Sequence, residues 1–229
     1  MFLPFLDPTM VLLITALFFA FWAQSKVKST YRKYSRIRSA SGLTGSDVAR
    51  RILNLNGLQD VKVEPVPGEL SDHYDPRTHT VRLSEGIYGR GSIAALGIAA
   101  HEVGHAVQHA NGYTALKLRH LLLTPANFGS TLSFPIFFIG FIFSSMNFLM
   151  DLGIYLFIGA LAFQLITLPV EFDASRRALA TLRSSGMMAD VEVDQARRVL
   201  SAAAWTYVAA ATMALSHLIR LLLLRSIRD

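Results

Sequence analysis

Apolar and polar positions divide this chain into long runs of one kind. Residues 10 to 23, "MVLLITALFFAFWA", carry no charge. With Phe2 to Leu6 ahead of them, and Asp7 and Pro8 as an interruption, the stretch is about long enough to span a bilayer. No Lys or Arg precedes the run and bulky basic residues follow it, so it reads as an anchor rather than a cleaved signal peptide. "TGSDVARRILNLNGL" has a helical period, with Val48, Ile52 and Leu55 on one face and Asn56-Gly57 as its stop. "VKVEPV" and "HTVRLS" alternate as strands do, with turn-rich "PGELSDHYDPRT" between them, which predicts a small sheet with a hairpin or edge strand. "SIAALGIAAHEVGHAVQHA" predicts a long helix of small residues.

Residues 121 to 170 hold two apolar runs, each about 20 residues long, with Asp151 as the single charge near their joint. They are expected as a hairpin of spans, the first kinked at Pro125 and Pro135. "EFDASRRALATLRSSGMMADVEVDQARRVL" predicts charged helix broken at Ser185-Gly186. "SAAAWTYVAAATMALSHLIRLLLLR" is apolar again and is expected as a fourth span, Arg220 snorkelling toward an interface. The domain expectation is therefore a transmembrane helix at 1–23, a cytoplasmic part at 24–120, a transmembrane hairpin at 121–170, cytoplasmic helices at 171–200 and an apolar helix at 201–229.

Composition sharpens this picture. Hydrophobic residues make up 52% and charged residues 17%, below the roughly 25% charged of an ordinary soluble domain. The net charge of +6 is concentrated beside the apolar runs: Lys26, Lys28, Arg32, Lys33, Arg36 and Arg38 arrive with no acid before Asp47. Such flanks mark the cytoplasmic end of a span, and they sit beside spans rather than on an aromatic-studded sheet, so no nucleic-acid partner is expected. Arg176, Arg177, Arg183, Arg197 and Arg198 fall on the same predicted side, whereas Arg225 and Arg228 run against it, or against a complete fourth span. There is no cysteine, so a metal site must use His, Asp or Glu.

The chemistry concentrates in "HEVGH". Positions i and i+4 share a helix face, so His101 and His105 can reach one cation, and Glu102 lies beside them as a general base toward a water on that ion. Gly104 lowers helix stability and signals close approach of another backbone. The third ligand must come from elsewhere: Glu171 in "LPVEFDASRRA" is preferred, at a helix start, with His109, His73 and Asp173 as alternatives. His101 and Glu171 can meet only if an even number of spans separates them, as the hairpin provides. The strand "THTVRLSE" is expected to offer an edge to an extended peptide, with His73, Tyr74 or His109 near the oxyanion.

"FWAQSKVKSTYRKYS", "SDHYDPRTHTVRLSE", "IAAHEVGHAVQHA" and "LPVEFDASRRAL", in this order, resemble the bacterial YugP-like putative neutral zinc metallopeptidases, a membrane protein family similar in design to gluzincins such as HtpX and the CAAX prenyl proteases. The resemblance implies a mainly α membrane protein: a multi-span helical bundle with a small cytoplasmic α+β zincin-like metallopeptidase unit. It implies one zinc ion on His101, His105 and Glu171, with Glu102 catalytic, and protein or peptide substrates, membrane proteins among them. It also implies a bacterial plasma-membrane location, and the basic segments predict an active site facing the cytoplasm. Ser175 stands where the HtpX-type motif carries an Asp that supports a ligand histidine, leaving Asp173 as the nearby acid for that part. The rival from another class is a non-catalytic scaffold or chaperone-like protein with a structural zinc, which would need a fourth protein ligand.

Overall fold

The computed structural model describes residues 9–228, so the part of the expected anchor at residues 1–8 lies outside the described residues. The elements are α1 (Met10–Tyr34), α2 (Gly45–Leu55), β1 (Lys62–Val66), β2 (His73–Asp75), β3 (Thr80–Ser84), α3 (Glu85–Tyr88), α4 (Ile93–Ala110), α5 (Thr114–Ile142), α6 (Asn147–Ser184) and α7 (Asp190–Arg228). The protein is mainly helical, and α1, α5, α6 and α7 are each long and apolar enough to cross a membrane. α5 runs unbroken through Pro125 and Pro135.

The helix start expected at Glu171 is not there. α6 continues through Pro169 and holds Glu171 in its interior. A proline deletes one intrahelical hydrogen bond, and the burial of Thr167, Val170 and Glu171 on either side of it holds the rest of the helix in place. The break at Ser185-Gly186 does occur, Gly186 taking a φ of +66° that a side-chain-bearing residue adopts at a cost.

The chain divides into two compact units. One comprises the described residues up to Gln24, Lys117–Leu168, and Thr206 onward. Its core gathers Phe137, Met150, Phe157 and Leu221. Small residues let α5 and α6 close on each other: a Cβ on Gly153 would meet Ser133 O at 2.7 Å, and one on Gly129 would meet Leu156 O at 2.9 Å. Arg225 Nε donates to Asp151 Oδ1 at 2.9 Å, and the Arg228 guanidinium lies 5.6 Å from the Phe141 ring centroid. The C-terminal end of α7 thus lies beside the α5–α6 joint. Arg225 and Arg228 thus have partners at that joint, Asp151 and Phe141.

The other unit comprises Ser25–Leu116 and Pro169–Trp205. Its sheet has the order β1-β3-β2. β1 pairs with β3 in parallel, Val63 opposite Val81, while β2 pairs antiparallel, Tyr74 opposite Val81. Two expectations are corrected here. The hairpin is β2–β3, not β1–β3, because "PGELSDHYDPRT" conceals a strand of only three residues. "THTVRLSE" is the central strand rather than an edge, its Val81 and Leu83 fully buried. α2 starts at a reciprocal capping box between Thr44 and Asp47. It buries Val48, Ala49, Ile52 and Leu53, while Leu55, at its last turn, is exposed. α4 starts where Ser92 Oγ accepts from Ala95 N at 3.2 Å and ends before Gly112 at φ +65°. It is buried on nearly every face, which only a helix of small side chains tolerates.

Gly104 is where α4 meets α6: a Cβ there would sit 2.7 Å from Ala174 O. Gly104→Ala should therefore force the backbones apart and cost about 1–3 kcal/mol, read as a lower Tm. Gly159→Ala, whose added Cβ meets nothing, should leave Tm unchanged or raised. The helix-end arrangement has its own check, since the chain lacks native thiols. A Cys pair at Asp151 and Arg225 should be joined by a short bis-thiol reagent. A pair at Asp151 and Thr206, with Thr206 about 28 Å further along α7 at 1.5 Å per residue, should not.

Candidate metal centre

Residues 101, 104, 105 and 108 form one stripe of α4, and 171, 174 and 175 form one stripe of α6, each set by the i, i+3, i+4 period. The two stripes run antiparallel. His101 Nε2 lies 3.2 Å from Glu171 Oε2, and His105 Nε2 lies 3.6 Å from the same oxygen. The ligand atoms of His101, His105 and Glu171 all lie within 4.8 Å of one another. Glu171 is 2% exposed as a side chain, against 14% and 10% for the two histidines, so the carboxylate closes the bottom of the cluster. Burial pushes the Glu171 carboxyl up, but its bonds to both imidazoles outweigh that and hold it well below the usual carboxylate range.

The back of each imidazole is held differently. Gln108 is fully buried. Its Nε2 donates to Val170 O at 2.8 Å and to Asp173 Oδ2 at 2.9 Å, both acceptors. That fixes the amide orientation, so Oε1 faces His105 Nδ1 at 3.1 Å and can only accept. His105 must then carry a proton on Nδ1, which leaves Nε2, on the Glu171 side, as the ring atom available to an ion. Asp173 is anchored by Arg177 Nε at 2.5 Å and by Arg176. Burial raises its carboxyl, but the bonds from Gln108, Arg177 and Arg176 win and lower it. His101 Nδ1 faces Ser175 Oγ at 3.1 Å, a hydroxyl that serves either tautomer.

Glu102 follows His101 on α4 and is buried. Burial pushes its carboxyl up, against the opposing pull of the two motif histidines. The alternatives for a third donor are engaged elsewhere. His109 Nδ1 pairs with Tyr74 OH at 2.9 Å, His73 Nδ1 with Ser71 O at 2.8 Å, and Asp173 with Gln108 and two arginines. Sequence reasoning missed Gln108. Its signal was an amide one turn beyond His105 in a helix otherwise apolar and small, at a position that must face inward.

The donor set suits a divalent ion of the zinc type: two imidazole nitrogens and a carboxylate oxygen converge, their far sides hydrogen-bonded, with no thiolate. Among the described residues no further His, Asp or Glu joins the cluster.

The family model described as "putative neutral zinc metallopeptidase" matches residues 9–226. The "putative membrane protease YugP" of Bacillus subtilis (strain 168) is 52% identical over 213 residues, covering 93% of this chain and 94% of that protein. No solved structure matches. The match over nearly the full length, with half of all positions shared by a relative of equal extent, means that this chain belongs to the putative neutral zinc metallopeptidase family.

Proposed function

We propose that this protein is a membrane-embedded zinc-dependent metalloendopeptidase, with His101, His105 and Glu171 as metal ligands and Glu102 as general base. The observation that carries this reading is the convergence of the His101, His105 and Glu171 ligand atoms, all within 4.8 Å of one another. Zinc, when bound there, would supply Lewis acidity toward a carbonyl and bring the pKa of a water to about 7. Glu102 takes the proton of the attacking water on its carboxylate and passes it to the leaving amine nitrogen. Its burial keeps bulk water from competing for that proton. His105 enters the site as a neutral ligand because Gln108 holds its other nitrogen protonated.

The unit of sheet and motif helix is read as zincin-like and cytoplasmic. The basic segment 26–38 and the arginines from Arg176 to Arg198 belong to it. The apolar parts of α1, α5, α6 and α7 that make up the other unit, up to Gln24, Lys117–Leu168 and Thr206 onward, are read as spans, since they expose Phe18, Leu121, Phe128 and Phe148. An extended peptide has an edge to join at β2, whose outer side is free of strand partners among the described residues. Tyr74 on β2 has its hydroxyl pushed up to about 12 by burial and by Asp60 and Asp75. It stays a neutral donor across physiological pH, suited together with His109 to stabilising an oxyanion. A structural-zinc scaffold would call for a fourth protein ligand, and the donor set favours the peptidase.

Metal analysis of the purified wild type should find one zinc per chain, lost in His105→Ala and in Glu171→Ala. Full occupancy in either variant overturns the ligand set. Glu102→Gln should keep the ion and lose about 10²–10⁴-fold in peptide hydrolysis; wild-type rates there remove Glu102 from its role. Gln108→Leu should weaken zinc binding about 10–100-fold, measured by chelator competition, with a smaller effect from Ser175→Ala. Equal affinity in Gln108→Leu would reduce the amide to packing.

A further inference from the structure

The sheet-bearing unit holds a cavity of about 450 Å³ between the polar end of α1 and α7. Its volume lies within the usual range for small-ligand sites, roughly 300–1,000 Å³. Two stripes face each other across it. Lys26, Ser29, Thr30 and Lys33 follow i, i+3, i+4, i+7 on α1, and Arg198, Ser201, Ala202 and Trp205 repeat that period on α7. In each stripe the two middle residues are small and make the space, while the ends are long.

The lining carries three cations and no carboxylate. Among the described residues no acid pairs with Lys26, Lys33 or Arg198; Lys33 Nζ lies 5.3 Å from the Tyr34 ring centroid. Other surface arginines of the same unit do have acids: Arg183 bonds Asp190 at 2.7 Å and Asp194 at 3.3 Å. Both helices turn apolar next to the cavity. The charge-free run of α1 ends at Ala23, three residues before Lys26, and that of α7 continues beyond Trp205. Trp is the side chain most at home at a membrane interface.

We propose that this cavity binds the phosphate of an anionic phospholipid headgroup, with Lys26, Lys33 and Arg198 matching its charge and the Thr30 and Ser201 hydroxyls donating to its oxygens. Clustered cations at the cytoplasmic end of spans suit such a headgroup, each worth about a fivefold gain in affinity near the surface. A soluble phosphate offers the same oxygens, but the lining stripes adjoin the apolar runs of α1 and α7, along which acyl chains can lie. The inference rests on the membrane reading of α1 and α7 and is independent of peptidase activity.

The test places full-length protein in nanodiscs of phosphatidylcholine with or without phosphatidylglycerol and counts retained lipids by native mass spectrometry. Wild type should retain phosphatidylglycerol in preference to phosphatidylcholine. Lys33→Gln/Arg198→Gln should lose that preference by about tenfold or more. Lys28→Gln/Arg197→Gln, which removes the same charge from positions that do not line the cavity, should keep it. Lys26→Gln, at an exposed position, gives an intermediate loss and serves if the double variant fails to fold. Equal losses in the lining and non-lining pairs would mean diffuse attraction and overturn the site. Inorganic phosphate binding in phosphatidylcholine discs, sensitive to the same lining residues and without phosphatidylglycerol enrichment, would overturn the lipid as occupant.

Discussion

How closely two helix backbones approach at Gly104 sets the geometry of the candidate metal centre. With no side chain at that position, α4 comes within van der Waals reach of the backbone of Ala174 on α6. Everything else follows from helical periodicity. Ala174 has Glu171 three residues before it and Ser175 directly after. Gly104 has His101 three residues before it and His105 directly after. Antiparallel contact at the small pair therefore delivers Glu171 to both imidazoles and Ser175 to the back of His101. A larger residue at position 104 would separate the helices and carry the carboxylate away from the histidines.

The same contact creates an electrostatic problem and its solution. Glu171 and Asp173 are both buried on α6, and buried carboxylates without partners are costly. Glu171 is answered by the two imidazoles. Asp173 is answered by Arg176 and Arg177 and by the Gln108 amide. The amide couples Asp173 to His105, acting as a neutral spacer between a charge and an imidazole that its own side chain does not touch. A family design with an acid four residues after the ligand Glu supports a histidine directly; here that position is Ser175, and the acid works two residues earlier through glutamine. The two histidines consequently differ: His105 has one permitted tautomer, and His101 rests on a hydroxyl that accepts either.

Local features were legible in the sequence wherever one residue type had one physical reason. The HEVGH spacing, the glycine that implied a neighbouring backbone, the turn at Ser185-Gly186 and the long apolar helices are of this kind. Features that depend on a partner far along the chain were not. β2 is three residues long and alternates too briefly to stand out from its turns, so the parallel pairing of β1 with β3 could not be inferred. Glu171 reads locally as the start of a new helix, yet α6 passes through Pro169 and on beyond it. Gln108 looks like one more polar residue near the motif, and only Val170 and Asp173, more than sixty positions away, reveal what it holds.

The distribution of side-chain size links the buried motif helix to the long apolar helices. In a water-soluble domain the largest apolar side chains are the first to be buried. Here α4 is filled with Ala and Gly and is almost wholly buried, while Phe18 at 71%, Phe128 at 66% and Phe148 at 65% remain exposed on the apolar helices. Small residues are what a helix needs to be approached on several sides by other backbones, as at Gly104 by Ala174 and at Gly97 by Ala196. Large ones are what a helix needs when its outer surface meets hydrocarbon rather than water. A composition of 52% hydrophobic residues is thus spent in two opposite ways: one set draws helices close enough to bring two histidines and a glutamate together, and the other gives the long helices a surface that lipid can wet.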